Sequence, residues 1–318
     1  MPRALKPPAL TAGDAVRVIA PASPVEEEKL RKGCEEIKRL GYVPKIDRDT
    51  VLGRDGYFAG PVESRGAALK AALAEPESKA IFCARGGYGS NYLLDGLKKP
   101  GVVRPKILLG YSDITSLQVL LWQKSRWVTF YGPMVAAAFD SGAGAPGGYD
   151  PVSFKRALTE TQQGWTMDLQ GDSLLTGEAE GILLGGCLTL VEATLGTPWE
   201  LDTRNAIVLL EDRAMKPYQV DRSLMHLRQA GKFERLRGVI FGEFPESDAP
   251  AGSASVREVA ERILRTEGIP VAWGVPVGHT ARPMLTFPLG VRARLSTTAS
   301  PKLEILEPAC IARPAVKR

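Results

Sequence analysis

The chain has 318 residues, of which 44% are hydrophobic and 24% are charged. These values are close to globular averages, and the length suggests two domains. The net charge of +5 comes from 41 basic and 36 acidic residues that alternate along the sequence. This charge pattern is typical of solvated helix faces, so we expect no nucleic-acid partner.

Hydropathy and cysteine spacing exclude several further classes of protein. No run of ~20 apolar residues occurs and the N-terminus lacks an apolar signal segment, so we expect a cytoplasmic protein without a membrane partner. Cys34, Cys83, Cys187 and Cys310 are far apart and form no Cys-x-x-Cys pair. We therefore expect four buried cysteines and neither a zinc site nor a disulfide framework.

Short apolar runs alternate with helical patterns in the first half of the chain. The predicted strands are 16–20, 42–46, 80–84 and 106–110, and the predicted helices are 25–40, 62–74 and one that follows Ser90. This order is typical of a mostly parallel sheet covered by helices. The predicted fold class is α/β, with a Rossmann-like N-terminal domain at residues 1–140.

A change of composition predicts a boundary between the domains. Residues 141–177 begin with a glycine-rich stretch and are predicted to be a linker. Residues 178–318 are predicted to form a smaller C-terminal α/β domain with a strand-rich, barrel-like core. Its predicted strands are 206–210, 238–242 and 270–273, its predicted helices are 188–195, 221–230 and 255–266, and a strand-rich tail follows Pro288.

The chain contains only two histidines, His226 and His279, which limits the choice of a general base. His226 lies in an amphipathic helical pattern, where a histidine is more often a surface or packing residue. His279 lies at a strand end or in a loop, where catalytic groups are more often found, although a structural histidine fits this position as well.

Residues 106–118 predict a strand, a tight turn and a helix, with Ser112 in the turn. This arrangement is similar to a nucleophile elbow, in which the hydroxyl is exposed and the next N–H, here that of Asp113, faces the oxyanion. Ile114 stands where the last glycine of Gly-x-Ser-x-Gly would be. The alternative is that Ser112 only caps the helix.

Two further segments carry candidate groups. Glu211 and Asp212 follow an apolar strand, where α/β folds place functional groups, although a salt bridge to Arg213 or Arg222 would also explain either of them. The glycine-rich segment 84–90 follows a strand and could hold an anion or an oxyanion with its N–H groups. It matches neither a P-loop nor Gly-x-Gly-x-x-Gly, so a nucleotide site is not favoured and a plain turn is the alternative.

These motifs together resemble those of the LD-carboxypeptidases, also called muramoyltetrapeptide carboxypeptidases, along most of the chain. The matching segments are Ala20-Pro-Ala-Ser23, Ala84-Arg-Gly-Gly-Tyr-Gly89, Gly110-Tyr-Ser-Asp-Ile-Thr115, Gly132-Pro-Met134, Gly185-Gly186, Gly196-Thr-Pro198, Leu210-Glu-Asp212, Pro217-Tyr-x-x-Asp-Arg222, Gly278-His279 and Pro288-Leu-Gly290. Cys187 departs from the pattern, because relatives often carry asparagine there.

The resemblance implies a Ser-Glu-His triad, which falls on Ser112, Glu211 and His279. It implies hydrolysis of the bond between an L-diamino acid and terminal D-alanine in muropeptide tetrapeptides, without a metal or cofactor, by a homodimer. Since Ser112 lies in the first predicted domain and the other two residues in the second, we expect the site at the domain interface.

The remaining site predictions concern the segments that follow the third and fourth predicted strands. The N–H groups of Asp113 and of Gly86 or Gly87 are candidates for the oxyanion hole. Arg85 and Tyr88 are candidates for substrate binding, Arg85 because a guanidinium group binds carboxylates at two points.

Two alternatives to this function remain open from the sequence. One is an enzyme that resembles the microcin C immunity peptidases and cleaves aminoacyl-nucleotide conjugates, with Trp165 or Trp199 as a wall for the base. The other is a non-catalytic α/β protein in which Gly86 to Gly89 hold an anion and Ser112 caps a helix.

Overall fold

The structure is a computed structural model that describes residues 4–97, 104–162 and 164–313. Internal contacts divide the chain into two compact units. The first unit comprises Met1–Gln162, Arg282–Pro288 and Pro308–Arg318, and the second comprises Gln163–Ala281 and Leu289–Glu307. Each unit is built around its own sheet.

The described residues form strands and helices in alternation over most of the chain. The strands are β1 (Ala15–Ile19), β2 (Val43–Ile46), β3 (Ser78–Cys83), β4 (Ile107–Gly110), β5 (Thr129–Tyr131), β6 (Trp165–Asp168), β7 (Asp172–Leu175), β8 (Glu178–Cys187), β9 (Ala206–Glu211), β10 (Gly238–Gly242), β11 (Val271–Val275), β12 (Phe287–Leu289), β13 (Arg292–Ser296) and β14 (Lys302–Ile305). The α-helices are α1 (Glu27–Arg39), α2 (Arg48–Val51), α3 (Val62–Ala74), α4 (Thr115–Ser125), α5 (Pro151–Thr159), α6 (Leu188–Glu192), α7 (Pro217–Gln229) and α8 (Val256–Leu264). The predicted strands and helices of both halves are therefore confirmed, apart from the helix after Ser90.

The first sheet has six strands in the order β12-β5-β4-β3-β1-β2. Strands β1 to β5 pair in parallel, in the spatial order 2-1-3-4-5. This is a doubly wound order, so the predicted Rossmann-like parallel sheet is confirmed. In such sheets the crevice for ligands lies at the carboxyl ends of the strands, beside the point where the strand order reverses, here between β1 and β3.

The second sheet has eight strands in the order β6-β14-β13-β8-β9-β10-β11-β7. Strands β8 to β11 pair in parallel, while β13, β14, β6 and β7 add antiparallel edges. The strand-rich second unit is thereby confirmed. The two strands at the edges of this sheet are β6 and β7, and within the described chain they do not pair with each other. The core that was predicted to be barrel-like is therefore an open sheet with parallel and antiparallel strands.

Two predictions about local structure are wrong. The segment 141–177 is not a linker, because it contains α5 of the first unit and β6 and β7 of the second. Asp150 caps α5 by accepting the N–H of Ser153, and Pro151 is its first residue, so local sequence favours a helix there. The second error is the α-helix after Ser90, since Ser90–Leu93 and Asp95–Leu97 form 3-10 turns instead.

The four cysteines are free and buried, as predicted. Among the described residues no helix is long and apolar enough to cross a bilayer.

Candidate active site

Ser112 lies in the sharp turn between β4 and α4. Its φ angle is 61°, and this left-handed conformation costs a residue with a side chain about 1–2 kcal/mol. Ser112 opens the 3-10 turn Ser112–Ile114, and no side-chain capping bond is formed at the start of that turn or of α4. A strained turn without a capping role is the geometry of a nucleophile elbow and argues against a simple capping serine.

The elbow is held by the end of the neighbouring strand β5. The Ser112 N–H donates to the hydroxyl of Tyr131 over 3.1 Å, and Tyr131 is fully buried at the end of β5. Sequence analysis missed Tyr131, although it directly precedes the Gly132-Pro-Met134 motif. Its hydroxyl fixes the orientation of the Ser112 peptide.

Gly86, in the loop after β3, lies directly against the elbow. A Cβ atom added at Gly86 would lie 2.9 Å from the Ser112 Cβ, 3.1 Å from its Oγ and 3.3 Å from the Asp113 nitrogen. Only glycine allows the two loops to approach so closely. The structure therefore brings the predicted residues Gly86, Ser112 and Asp113 together at the carboxyl ends of β3 and β4.

Ser23, after β1, fixes the glycine loop from the other side. Its N–H donates to the Gly86 carbonyl over 3.1 Å, and its hydroxyl accepts the N–H of Tyr88 over 3.1 Å. Ser23 is the last residue of the Ala20-Pro-Ala-Ser23 motif, whose role sequence analysis left unassigned. The loop is thus held at its centre by a residue from the neighbouring strand end.

The two predicted substrate-binding side chains are exposed. Arg85 donates to the backbone carbonyl of Pro24 over 2.9 Å and forms no ion pair with the described residues. Tyr88 is 44% exposed and belongs to an aromatic cluster with Tyr57, Phe58 and Tyr92. Both side chains are accessible to a ligand.

In the second unit, His279 and Glu211 form a tightly coupled pair. Glu211 ends β9 and is fully buried, and one of its oxygens, Oε2, lies 2.8 Å from both the backbone nitrogen and the Nδ1 atom of His279. Two bonds to one carboxylate fix both the backbone and the ring of the histidine. A hydrogen bond from Nδ1–H to the carboxylate leaves Nε2 as the basic nitrogen.

Glycines enclose the Glu211 side chain. A Cβ atom added at Gly278 would overlap the Glu211 carboxylate, and one added at Gly242 would lie 2.5 Å from the Glu211 Cβ. Gly278 also has a φ of 65°. The Gly278-His279 pair in the sequence therefore has a steric cause, because the residue before the histidine must leave room for the acid.

The electrostatic environment favours a protonated His279. Burial of the ring lowers the pKa of His279, but the neighbouring Glu211 carboxylate raises it by more, with a smaller contribution from Asp212. The net pKa lies above the ordinary value of 6.5. A carboxylate that stabilises an imidazolium ion is what a general base needs when it accepts a proton.

The competing residues have other partners. Asp212 accepts the N–H and the hydroxyl of Thr189 over 2.9 and 2.7 Å, which ties it to the start of α6. His226 lies on the exposed face of α7, and its Nδ1 atom is 2.9 Å from a Glu192 oxygen. His226 and Glu192 thus form their pair on an exposed helix face, whereas His279 and Glu211 form theirs at a buried strand end.

Cys187 lies beside the acidic residues. It pairs with Glu211 across β8 and β9, and its Sγ atom lies 3.4 Å from an Asp212 oxygen. Burial raises the pKa of this thiol well above its ordinary value, and the two nearby carboxylates raise it further. Cys187 is thus a neutral donor to Asp212.

Fold and local geometry define an α/β protein of two sheets, with a serine in a strained strand–helix turn and a buried carboxylate–histidine pair. Residues 16–132 match the LD-carboxypeptidase N-terminal domain, and residues 180–295 match the LD-carboxypeptidase C-terminal domain. A Bacillus subtilis (strain 168) protein named probable murein peptide carboxypeptidase is 36% identical over 297 residues, which cover 92% of each chain. The chain therefore belongs to the LD-carboxypeptidase family.

Solved structures show the same fold. The muramoyltetrapeptide carboxypeptidase from Oxalobacter formigenes is 27% identical, with a TM-score of 0.78 over 94% of this chain and all of that one. The microcin C7 self-immunity protein is 24% identical, with a TM-score of 0.85 over 96% of this chain and 99% of that one. At that identity the second comparison shows the fold alone.

Proposed function

We propose that this chain is a serine-type LD-carboxypeptidase that releases terminal D-alanine from the L-centre of a diamino acid in muropeptide tetrapeptides. The main observation is that one buried Glu211 oxygen binds His279 at two points, in a chain whose Ser112 occupies a strained elbow. The relative named murein peptide carboxypeptidase supports this class of substrate.

In the proposed mechanism, Ser112, Glu211 and His279 act as a triad. His279 takes the proton from the Ser112 hydroxyl at Nε2 while the serine oxygen attacks the peptide carbonyl. The N–H groups of Asp113 and of Gly86 or Gly87 stabilise the oxyanion, and each lowers the activation barrier by about 3 kcal/mol. Nε2 then returns the proton to the amine of D-alanine, the C–N bond breaks, and water hydrolyses the acyl-enzyme by the same steps.

The exposed side chains near the elbow supply the proposed recognition. Arg85 binds the terminal carboxylate of the substrate, because its guanidinium offers two parallel donors. Tyr88 adds contact from the aromatic cluster. The homodimer and the cytoplasmic location remain predictions of the sequence.

The test is D-alanine release from L-Ala-γ-D-Glu-meso-diaminopimelate-D-Ala by the wild type, Ser112→Ala and Ser125→Ala. We expect turnover by the wild type, a loss on the order of 10⁴-fold or more in Ser112→Ala, and no change in Ser125→Ala, which removes a hydroxyl at the far end of α4. Turnover that survives in Ser112→Ala would exclude this nucleophile.

A second substrate class is suggested by the microcin C7 self-immunity protein of Escherichia coli. Its sequence is 27% identical to this chain in an alignment that covers 89% of this chain. We therefore include an aminoacyl-sulfamoyl nucleoside in the same assay. Trp165 is buried within β6, at 7% exposure, and so offers no free face for a base, whereas Trp199 is half-buried. Cleavage of the nucleoside conjugate without D-alanine release would replace the muropeptide by this substrate.

A further inference from the structure

The peptide group between Gly89 and Ser90 lies between two buried charged side chains. Its carbonyl accepts a hydrogen bond from Arg65 Nη1 over 2.7 Å, and its N–H donates to Asp113 Oδ2 over 2.8 Å. Arg65 is 3% exposed and Asp113 is fully buried. The proposed mechanism uses neither side chain.

This arrangement fixes the orientation of the peptide. Its carbonyl oxygen carries partial negative charge and faces the guanidinium, while its N–H carries partial positive charge and faces the carboxylate. A reversed peptide would place oxygen against the carboxylate and hydrogen against the guanidinium, which is strongly unfavourable at low dielectric. Arg65 and Asp113 therefore select one of two peptide orientations.

The same residues connect the two loops of the site. Ser90 ends the glycine loop that starts at Gly86, and Asp113 directly follows Ser112. Besides the bond through its N–H, Ser90 donates its hydroxyl to the Asp113 backbone carbonyl over 2.6 Å. Two bonds thus join the glycine loop to the elbow, so a shift of Ser90 would move the proposed oxyanion donors relative to Ser112.

Arg65 extends the connection to the segment after β1. Its Nη1 atom also donates to the Pro21 carbonyl over 2.7 Å, and its Nε atom donates to the Gly60 carbonyl over 3.0 Å. The ring of Phe58 lies over the guanidinium at 4.7 Å and stacks against Tyr88. One arginine from α3 therefore holds three loops together.

This arrangement is unfavourable for the two charges themselves. Burial raises the pKa of Asp113 by more than the bonds from Ser90 and the charge of Arg65 lower it. Burial likewise lowers the pKa of Arg65 by more than the charge of Asp113 raises it. Buried charges of this kind add little net stability, and some are retained because they specify one arrangement.

We propose that Arg65 and Asp113 are positioning residues, which hold the Gly89–Ser90 peptide in one orientation and thereby fix the proposed oxyanion donors beside Ser112. This inference rests on Ser112 being the nucleophile, but not on the identity of the substrate.

The test is the rate at which a small fluorophosphonate labels Ser112, measured with the thermal unfolding of each variant. We compare the wild type with Asp113→Asn, Arg65→Met and the double variant. Each single change should slow labelling on the order of 10²-fold, as expected for a misplacement of about 1 Å. The double variant should be no slower than the slower single variant, because both changes release the same peptide.

Ser90→Ala serves as a milder variant should a charge change prevent folding. It removes only the hydroxyl bond to the Asp113 carbonyl, and we expect labelling to slow about tenfold, the effect of losing roughly 1.4 kcal/mol of positioning free energy. The matched controls are Arg17→Met and Glu75→Gln, which break a half-buried pair between β1 and the end of α3. They should lower the unfolding temperature without slowing labelling.

The outcomes separate this inference from the proposed function. Unchanged labelling in the variants despite lower stability would overturn the positioning role, as would rate losses that multiply in the double variant. If the wild type is labelled but releases no D-alanine, the muropeptide proposal fails and the labelling rates still decide the positioning role. A wild type that neither reacts with the probe nor turns over substrate would overturn both.

Discussion

Glu211 binds both the backbone and the ring of His279, and this double contact determines how the histidine titrates. The acid raises the pKa of His279 above 6.5 against the opposite effect of burial. A histidine with a raised pKa in the folded protein stabilises it fully below its unfolded pKa, and this contribution is lost as pH rises through the folded pKa. Catalysis needs the neutral ring, so activity should rise over the same pH range in which this stabilisation is lost.

We predict that kcat/KM for D-alanine release rises with pH along an acid limb whose midpoint lies above 6.5. Glu211→Gln should move this midpoint to lower pH, because an amide does not stabilise the imidazolium, and should lower kcat on the order of 10³- to 10⁴-fold. The measurement is a pH profile of kcat/KM, which reports pKa values of the free enzyme.

Asp212→Asn is the matched control for this profile. It removes an equal charge one residue away, from a carboxylate that binds Thr189. We expect a smaller shift in the same direction and a loss of about 1 kcal/mol in the free energy of unfolding. A wild-type midpoint at or below 6.5, or an unmoved midpoint in Glu211→Gln, would contradict the proposed pairing.

Single residues were narrowed by chain chemistry and then chosen by the family resemblance. Two histidines and one strand-end acid pair leave few combinations, and the resemblance selected His279 and Glu211 from them. The structure places these two side chains within hydrogen-bond distance, while their catalytic roles stay a prediction. Tyr131, Arg65 and Ser90 were missed, because their roles depend on contacts between distant segments, such as the 19 residues that separate Ser112 from Tyr131. Hydrogen bonds of this kind have no sequence periodicity.

At the scale of elements, the turn after β11 shows how backbone shape positions the acid. Gly278 and Gly268 have nearly the same φ, 65° and 64°, but only Gly278 contacts Glu211, whereas a Cβ atom at Gly268 would meet nothing within 4 Å. The two positions therefore separate the cost of backbone conformation from the cost of displacing the acid.

We predict that Gly278→Ala lowers both stability and activity, while Gly268→Ala lowers stability alone. Both substitutions should cost about 1–2 kcal/mol for the left-handed backbone. Gly278→Ala should cost more, since its Cβ displaces the Glu211 carboxylate, and kcat should fall on the order of 10²-fold. Urea denaturation and D-alanine release measure the two effects, and equal kcat values for the two variants would refute the steric role of Gly278.

Strand prediction depended on which physical pattern each strand carries. The buried strands β3, β4, β9 and β10 are continuous apolar runs and were found, as expected for parallel strands covered on both faces. Strand β8 was missed because it begins with the alternating polar segment Glu178-Ala-Glu-Gly181, which pairs with β13, and carries two glycines directly before its last residue, Cys187. The alternation of charged and small residues over Glu178 to Gly181 was the available signal for a strand, and the loop-like composition of the preceding residues obscured it.

At the scale of the whole molecule, the chain enters each unit more than once. The first unit includes Arg282–Pro288 and Pro308–Arg318, far in sequence from its main segment. Sequence analysis placed one linker, residues 141–177, between two continuous domains, because composition reports local texture and not which distant segments return to a sheet. The two-domain α/β architecture was predictable from the order of elements, whereas these returning segments were not.

The last described residues pair with the N-terminal segment inside the first unit. Cys310 is fully buried, the Ile311 N–H donates to the Pro7 carbonyl over 2.9 Å, and the Ile311 carbonyl accepts the N–H of Ala9 over 3.0 Å. Arg313 forms an ion pair with Asp14. These contacts join residues 7–14 to residues 310–313 next to β1, the strand that leads to Ser23.

We predict that deletion of residues 308–318 destabilises the protein. The deletion removes the buried side chains of Ala309 and Cys310 and several hydrogen bonds, which together contribute about 3–5 kcal/mol. For a unit of this size such a loss lowers the unfolding temperature by roughly 10 °C. Thermal unfolding of the truncated protein beside the wild type measures the difference, and an unchanged unfolding temperature would show that the N-terminal segment and β1 are held without these residues.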